Sequence, residues 1–128
     1  MKIVIIEDEP DTAEMYAEMM RISGYDVVKF FGGLPAIDRL RDQDADAIVL
    51  DLMMPDLSGL EVLNYIQNQP DLAQLPVVIV SAKTLPEDIA KGLNAGAMAY
   101  LTKPVSFAEM RKVIEEAVSG SSKTLGAS

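Results

Sequence analysis

Five short apolar runs recur along this chain: Lys2–Ile6, Asp26–Phe30, Ala47–Leu50, Val77–Val80 and, more weakly, Ala97–Leu101. Each has strand length and most are rich in β-branched residues, which favours strands covered on both faces. Between them lie segments with helical spacing. Pro10 to Ser23 opens with proline in its first turn and stops at Gly24, which suits a helix C-cap. Leu34–Arg41 carries Leu34, Ile37 and Leu40 at three-residue spacing, and Gly59–Asn68 carries Leu60, Leu63 and Tyr65–Ile66. Pro86–Ala95 ends before Gly96, and Ser106–Val118 opens on a capping box, Ser106 with Glu109. Strands and helices in alternation predict an α/β fold: one doubly wound, five-stranded parallel sheet with right-handed crossovers and five helices on its two faces.

At 128 residues there is room for one domain, expected over 1–119, with the small polar stretch 120–128 as a flexible tail or linker stub. No cysteine and no histidine are present, which removes disulfides, thiolate nucleophiles, Ser-His-Asp catalysis and most transition-metal sites. Carboxylates, hydroxyls, lysines and oxygen-seeking metals are left to do any chemistry. A net charge of −9 argues against direct nucleic-acid binding, which needs a basic face. No apolar stretch reaches membrane-spanning length and the amino terminus enters strand-like sequence at once, so a cytoplasmic protein is expected.

Polar residues sit at the ends of four runs: Glu7 and Asp8 after the first, Asp51 after the third, Ser81 after the fourth and Lys103 after the fifth. In a doubly wound sheet these carboxyl ends converge where the winding reverses. Acids gathered there repel one another unless a cation intervenes, and Mg²⁺ suits one or two carboxylates plus water and phosphate oxygens. Asp51 is then free to attack a phosphoryl group and form an aspartyl phosphate, with the Lys103 ammonium and the Ser81 hydroxyl facing the transferred oxygens. Each residue also has a plainer account. Asp51 could cap a turn, the first acids could serve a helix dipole, and Ser81 or Lys103 alone would be an ordinary strand-end residue.

The set in order resembles the receiver domain of two-component response regulators, over Lys2 to about Val118. The resemblance rests on Glu7-Asp8, on Asp51 followed by Met54-Pro55 and Gly59, on Ser81-Ala82, on Gly96-Ala97, and on Tyr100 ahead of Lys103-Pro104. It implies a flavodoxin-like three-layer sandwich with strand order 2-1-3-4-5. It also implies Asp51 as phosphoacceptor, Mg²⁺ held by Glu7, Asp8, Asp51 and the Met53 backbone carbonyl, Ser81 and Lys103 on the phosphoryl group, and Ser81 with Tyr100 as switch residues. The Lys103-Pro104 bond is a candidate for the cis form. Two departures stand out: Glu-Asp replaces the commoner Asp-Asp pair, and Ser81 replaces the frequent threonine.

The resemblance further implies a sensor histidine kinase or histidine phosphotransfer protein as donor. The expected chain is a phosphoacceptor switch rather than an enzyme, with a switching surface on its fourth helix, fifth strand and fifth helix, and a phosphorylation-dependent homodimer is one expected outcome. On the first helix, Ala13, Tyr16, Met20 and Ser23 form a core stripe; Met15 on the adjoining edge is a docking candidate for the donor, and Met19 is expected in the core. A haloacid dehalogenase-type phosphatase is disfavoured because the second aspartate it needs is Met53 here. Glu-Asp-Glu-Pro after the first strand disfavours a nucleotide site. The remaining rival is a receiver-like interaction module that is never phosphorylated. No helix-turn-helix or enzymatic output domain is visible, so the chain could be a stand-alone regulator, a relay intermediate or the front of a longer protein.

Overall fold

A computed structural model describes the backbone of residues 1–127 and the side chains of residues 1–119. Its elements follow in the order β1 (Lys2–Ile6), α1 (Pro10–Ile22), β2 (Asp26–Phe30), α2 (Gly33–Arg39), β3 (Ala47–Asp51), α3 (Gly59–Gln67), β4 (Val77–Ser81), α4 (Pro86–Asn94), β5 (Ala99–Thr102) and α5 (Phe107–Ala127). A short 3-10 turn, Leu40–Gln43, follows α2. The tail expected at 120–128 falls in and beyond the last turns of α5, where no side chain is described. All four strand pairings are parallel, in the order β2-β1-β3-β4-β5, as expected. The winding therefore reverses between β1 and β3.

Pleating sorts each central strand between two cores. Ile3 and Ile5 of β1, with Val49, Val78 and Val80, pack under Tyr16 and Met20 of α1 and Met110 and Ile114 of α5. Val4 and Ile6, with Ile48, Leu50 and Ile79, pack on the other side against Leu40, Val62, Leu63 and Ile66. Each fully buried isoleucine contributes roughly 1.5–3 kcal/mol. A one-residue slip of β1 would exchange its two faces, so burial on both sides pins the register that aligns Ile6 with Leu50 and Asp51 with Val80.

Local signals close the helices as read. Ser106 and Glu109 form the reciprocal capping box, each backbone N–H donating to the other's side chain at 3.2 and 3.1 Å. Gly24 follows α1 at φ +98, a conformation glycine adopts without steric penalty. Ala13, Tyr16 and Met20 are buried, while Ser23 is only half-buried and caps the helix through Oγ donating to the Met19 carbonyl. Along α2 and the turn after it, Gly33, Ala36 and Leu40 form the face that turns inward, and Leu34 is exposed. One local expectation fails. The fifth strand starts two residues later than read, since Ala97 and Met98 complete the turn out of α4.

Candidate functional site

The carboxyl ends of β1, β3, β4 and β5 bring the expected residues to one place. Glu7 continues the β1 ladder, its N–H donating to the Phe30 carbonyl at 3.0 Å, and its side chain is 2% exposed. Asp51 ends β3 at 5% exposure and Ser81 ends β4 fully buried. Asp8 remains half-buried at the mouth. Carboxylate oxygens of Glu7, Asp8 and Asp51 lie within 4.8 Å of one another. Three acids so close, all oxygen donors and without a histidine or thiolate, match the preference of a hard divalent cation.

Lys103 enters this acidic cluster from the loop after β5, where its N–H donates to the Ser81 carbonyl at 2.8 Å and its bond to Pro104 is cis. The ammonium donates to Glu7 Oε1 at 3.0 Å and stands 3.7 Å from Asp51 Oδ1. Glu7 is thus the direct partner of the lysine and Asp51 the more distant one. Burial pushes the Glu7 carboxyl up, against the lowering pull of the Lys103 and Glu9 hydrogen bonds. Burial also raises Asp8, reinforced by Glu7 beside it. Desolvation pulls the Lys103 ammonium down, but its bond to Glu7 and the nearby Asp51 and Glu7 charges outweigh that, so its pKa lies above the ordinary range.

The loop after β3 bends straight back. Met53 N–H donates to Asp51 Oδ1 at 3.3 Å, and Gly59 N–H donates to the Leu52 carbonyl at 2.9 Å, closing the loop at its base. Gly59 is required by that approach: a Cβ there would strike the Asp51 carbonyl oxygen and lie 2.6 Å from Leu52 Cα. The Met53 side chain points outward at 54% exposure.

One connection was not visible in the sequence. Lys83, in the loop after β4, donates its N–H to Ser81 Oγ at 3.1 Å and accepts the Tyr100 hydroxyl on its carbonyl at 2.8 Å. A single peptide segment therefore ties the buried hydroxyl to the aromatic ring on β5. Gly92, the buried residue of α4, lies over that ring; a Cβ there would come within 3.0 Å of Tyr100 Cδ2 and 2.8 Å of Ile79 Cδ1. Met15 lies apart from this cluster on α1, 47% exposed, while Met19 is half-buried against the core.

Residues 3–115 match the response regulator receiver domain. The chain belongs to that family. Among curated receiver proteins, the probable transcriptional regulatory protein TcrX of Mycobacterium tuberculosis is 39% identical over 108 residues, which cover 84% of this receiver chain but only 45% of TcrX. The polar-differentiation response regulator DivK of Brucella ovis is 31% identical, with 81% of this chain and 85% of DivK aligned. Among solved structures, a CheY-like receiver domain protein from Methanospirillum hungatei superposes with a TM-score of 0.88 over 96% of this chain and 97% of its own, at 22% identity. The receiver domain of the sensor histidine kinase PA1611 from Pseudomonas aeruginosa reaches 0.85 at 29% identity, covering 92% and 97% of the two chains. That structure has a magnesium ion coordinated in its active-site cleft. Among the described residues, no helix of this receiver is long and apolar enough to cross a membrane.

Proposed function

We propose that this receiver domain is a phosphorylation-controlled switch whose phosphoacceptor is Asp51. The observation that carries the reading is the convergence of Glu7, Asp8 and Asp51 within 4.8 Å, with the Lys103 ammonium already among them. Glu7, Asp8, Asp51 and the Met53 carbonyl would hold Mg²⁺, which supplies charge neutralisation for the transferred phosphoryl oxygens. The donor is a phosphohistidine of a sensor kinase or phosphotransfer protein in the cytoplasm. An Asp51 carboxylate oxygen attacks phosphorus, the P–N bond breaks, and the imidazole leaves with the electron pair. Positioning and charge compensation supply the rate, so the domain assists its own modification and its hydrolysis without being an enzyme in the turnover sense.

The new charge on Asp51 favours Lys103 closer to it than the present 3.7 Å and draws the Ser81 hydroxyl inward as a donor. Ser81 Oγ also holds the Lys83 N–H, so its movement pulls on the same peptide segment that holds Tyr100. The surface of α4, β5 and α5 then changes its affinity for a partner, an output domain or a second copy, as a population shift between two packings. Docking of the donor uses the exposed edge of α1 around Met15. A charge placed at Met15 should slow transfer from a phosphohistidine partner while sparing small donors, and equal slowing of both would remove this part of the reading.

Intact mass after incubation with acetyl phosphate tests the core of the proposal. A single phosphoryl adduct requiring both Mg²⁺ and Asp51, and lost in Asp51→Asn, is expected. No adduct under any condition would favour the interaction module that is never phosphorylated.

A further inference from the structure

Five residues past Asp51, the Asp56 carboxylate reaches across to the start of α2. Its Oδ1 accepts the Gly33 N–H at 3.1 Å and its own neighbour's Leu57 N–H at 2.8 Å, while Oδ2 accepts the Leu34 N–H at 2.9 Å. These backbone donors, Leu34 first, hold the Asp56 carboxyl below the usual carboxylate range. The N-cap of α2 is Gly32, which has no side chain to satisfy those amides, so the cap comes from 24 residues away in sequence.

The glycines at 32 and 33 make the fit. A Cβ on Gly32 would stand 2.7 Å from Asp56 Oδ2, in space the carboxylate uses. A Cβ on Gly33 would stand 2.8 Å from Val62 Cγ2 and 2.9 Å from Leu57 Cβ. Hydrogen bonds from residues 53–57 to any element other than β3 run, among the described residues, through Asp56 alone. Pro55 beside it has no N–H to offer. Closed at its base by Gly59 and at its tip by Asp56, the loop holds the Met53 peptide between two anchors.

We propose that Asp56 is a positioning residue for the metal site: by clasping the start of α2 it orders the loop that presents the Met53 carbonyl, and so sets Mg²⁺ affinity. This rests on the metal reading of Glu7, Asp8, Asp51 and Met53 given above. Groups that orient metal ligands without touching the metal typically change affinity by about 10–100-fold when removed. Asp56 acts through the backbone of a loop, which places the expected effect near the lower end.

The test is Mg²⁺ titration of the unphosphorylated protein by calorimetry, joined to amide hydrogen exchange at Gly33 and Leu34. Wild type should bind Mg²⁺, and binding should slow exchange in the first turn of α2, because coupling between two sites is reciprocal. Asp56→Ala should weaken Mg²⁺ by about tenfold and abolish that slowing. Gly32→Ala keeps the carboxylate but displaces it, and should reproduce the loss. Asp56→Asn keeps one acceptor oxygen and should fall between. With acetyl phosphate at saturating Mg²⁺, all three variants should regain a rate close to wild type, which separates weakened metal binding from a damaged nucleophile. Folded variants that bind Mg²⁺ as tightly as wild type would overturn the clasp alone. A wild type that binds no Mg²⁺ would overturn both the clasp and the metal reading beneath it.

Discussion

Gly59→Ala should separate the positioning of Asp51, the proposed phosphoacceptor, from the stability of the fold. The added methyl would stand 2.6 Å from Leu52 Cα and 2.9 Å from Leu52 Cδ2, and would press on the Asp51 carbonyl oxygen. The first of these is about 0.8 Å short of the 3.4 Å at which ordinary contact begins, and two of the three obstacles are backbone atoms. The end of β3 therefore has to move by most of an ångström, taking Asp51 with it. Overpacking of this kind costs about 2–3 kcal/mol, offset by up to about 1 kcal/mol from replacing glycine with alanine in a helix. A net loss of about 1–2 kcal/mol lowers Tm by roughly 4–8 °C for a domain of this size. Misplacement of a reacting group by about 1 Å can slow chemistry by roughly a hundredfold. Phosphorylation by acetyl phosphate at saturating Mg²⁺ should accordingly slow by about ten- to a hundredfold. Gly24→Ala is the control: its φ of +98 strains an alanine by about 1–2 kcal/mol, yet nothing lies within 4 Å of the new methyl. Both variants should lose similar Tm, and only Gly59→Ala should lose rate. Equal phosphorylation rates for the two would refute the argument.

Two further outcomes follow from the same geometry. Because burial raises the Glu7 carboxyl, the folded state holds a proton there that the unfolded chain releases, and ionisation of Glu7 opposes folding as pH rises above its ordinary value of 4.5. Without Mg²⁺, Glu7→Gln should therefore gain stability relative to wild type as pH rises from about 4.5 to 7; a gap that is flat across this range in denaturant titrations would contradict the assignment. Gly92→Ala would set a methyl 3.0 Å from the Tyr100 ring and should break the Tyr100–Lys83 bond, which is 2.8 Å long. Tyrosine ring resonances unchanged in NMR spectra of that variant would show that α4 yields instead of the ring.

Much of the architecture was legible because it depends on local chemistry. Apolar runs that bury both faces, such as Ile3–Ile6 and Val77–Val80, read as central strands without any knowledge of their neighbours. The Ser106–Glu109 box and Gly24 marked helix ends through bonds within a few residues. The three-residue spacing of Leu34, Ile37 and Leu40 marks a helix but cannot say which side of a seven-residue helix turns inward; Gly33 and Ala36 allow close packing there, and Leu34 is left exposed. Ser81, Lys103 and Tyr100 could be named from order alone, but not the Lys83 peptide that joins two of them, since a backbone contribution leaves no side-chain signature.

By itself, the amino-acid order determined the alternation of strand and helix, and hence a parallel sheet whose carboxyl ends carry Glu7, Asp8, Asp51, Ser81 and Lys103. Only the tertiary structure decided how those groups share charge. Lys103 pairs with Glu7, 96 residues away, at 3.0 Å and leaves Asp51 at 3.7 Å. Asp56, which nothing in its local sequence distinguishes, became the cap of a helix that begins before it in the chain. The physical reason is the same in both cases. Strand and cap preferences act over a few bonds along the chain, whereas hydrogen bonds and ion pairs between loops depend on distances set only once the sheet has closed.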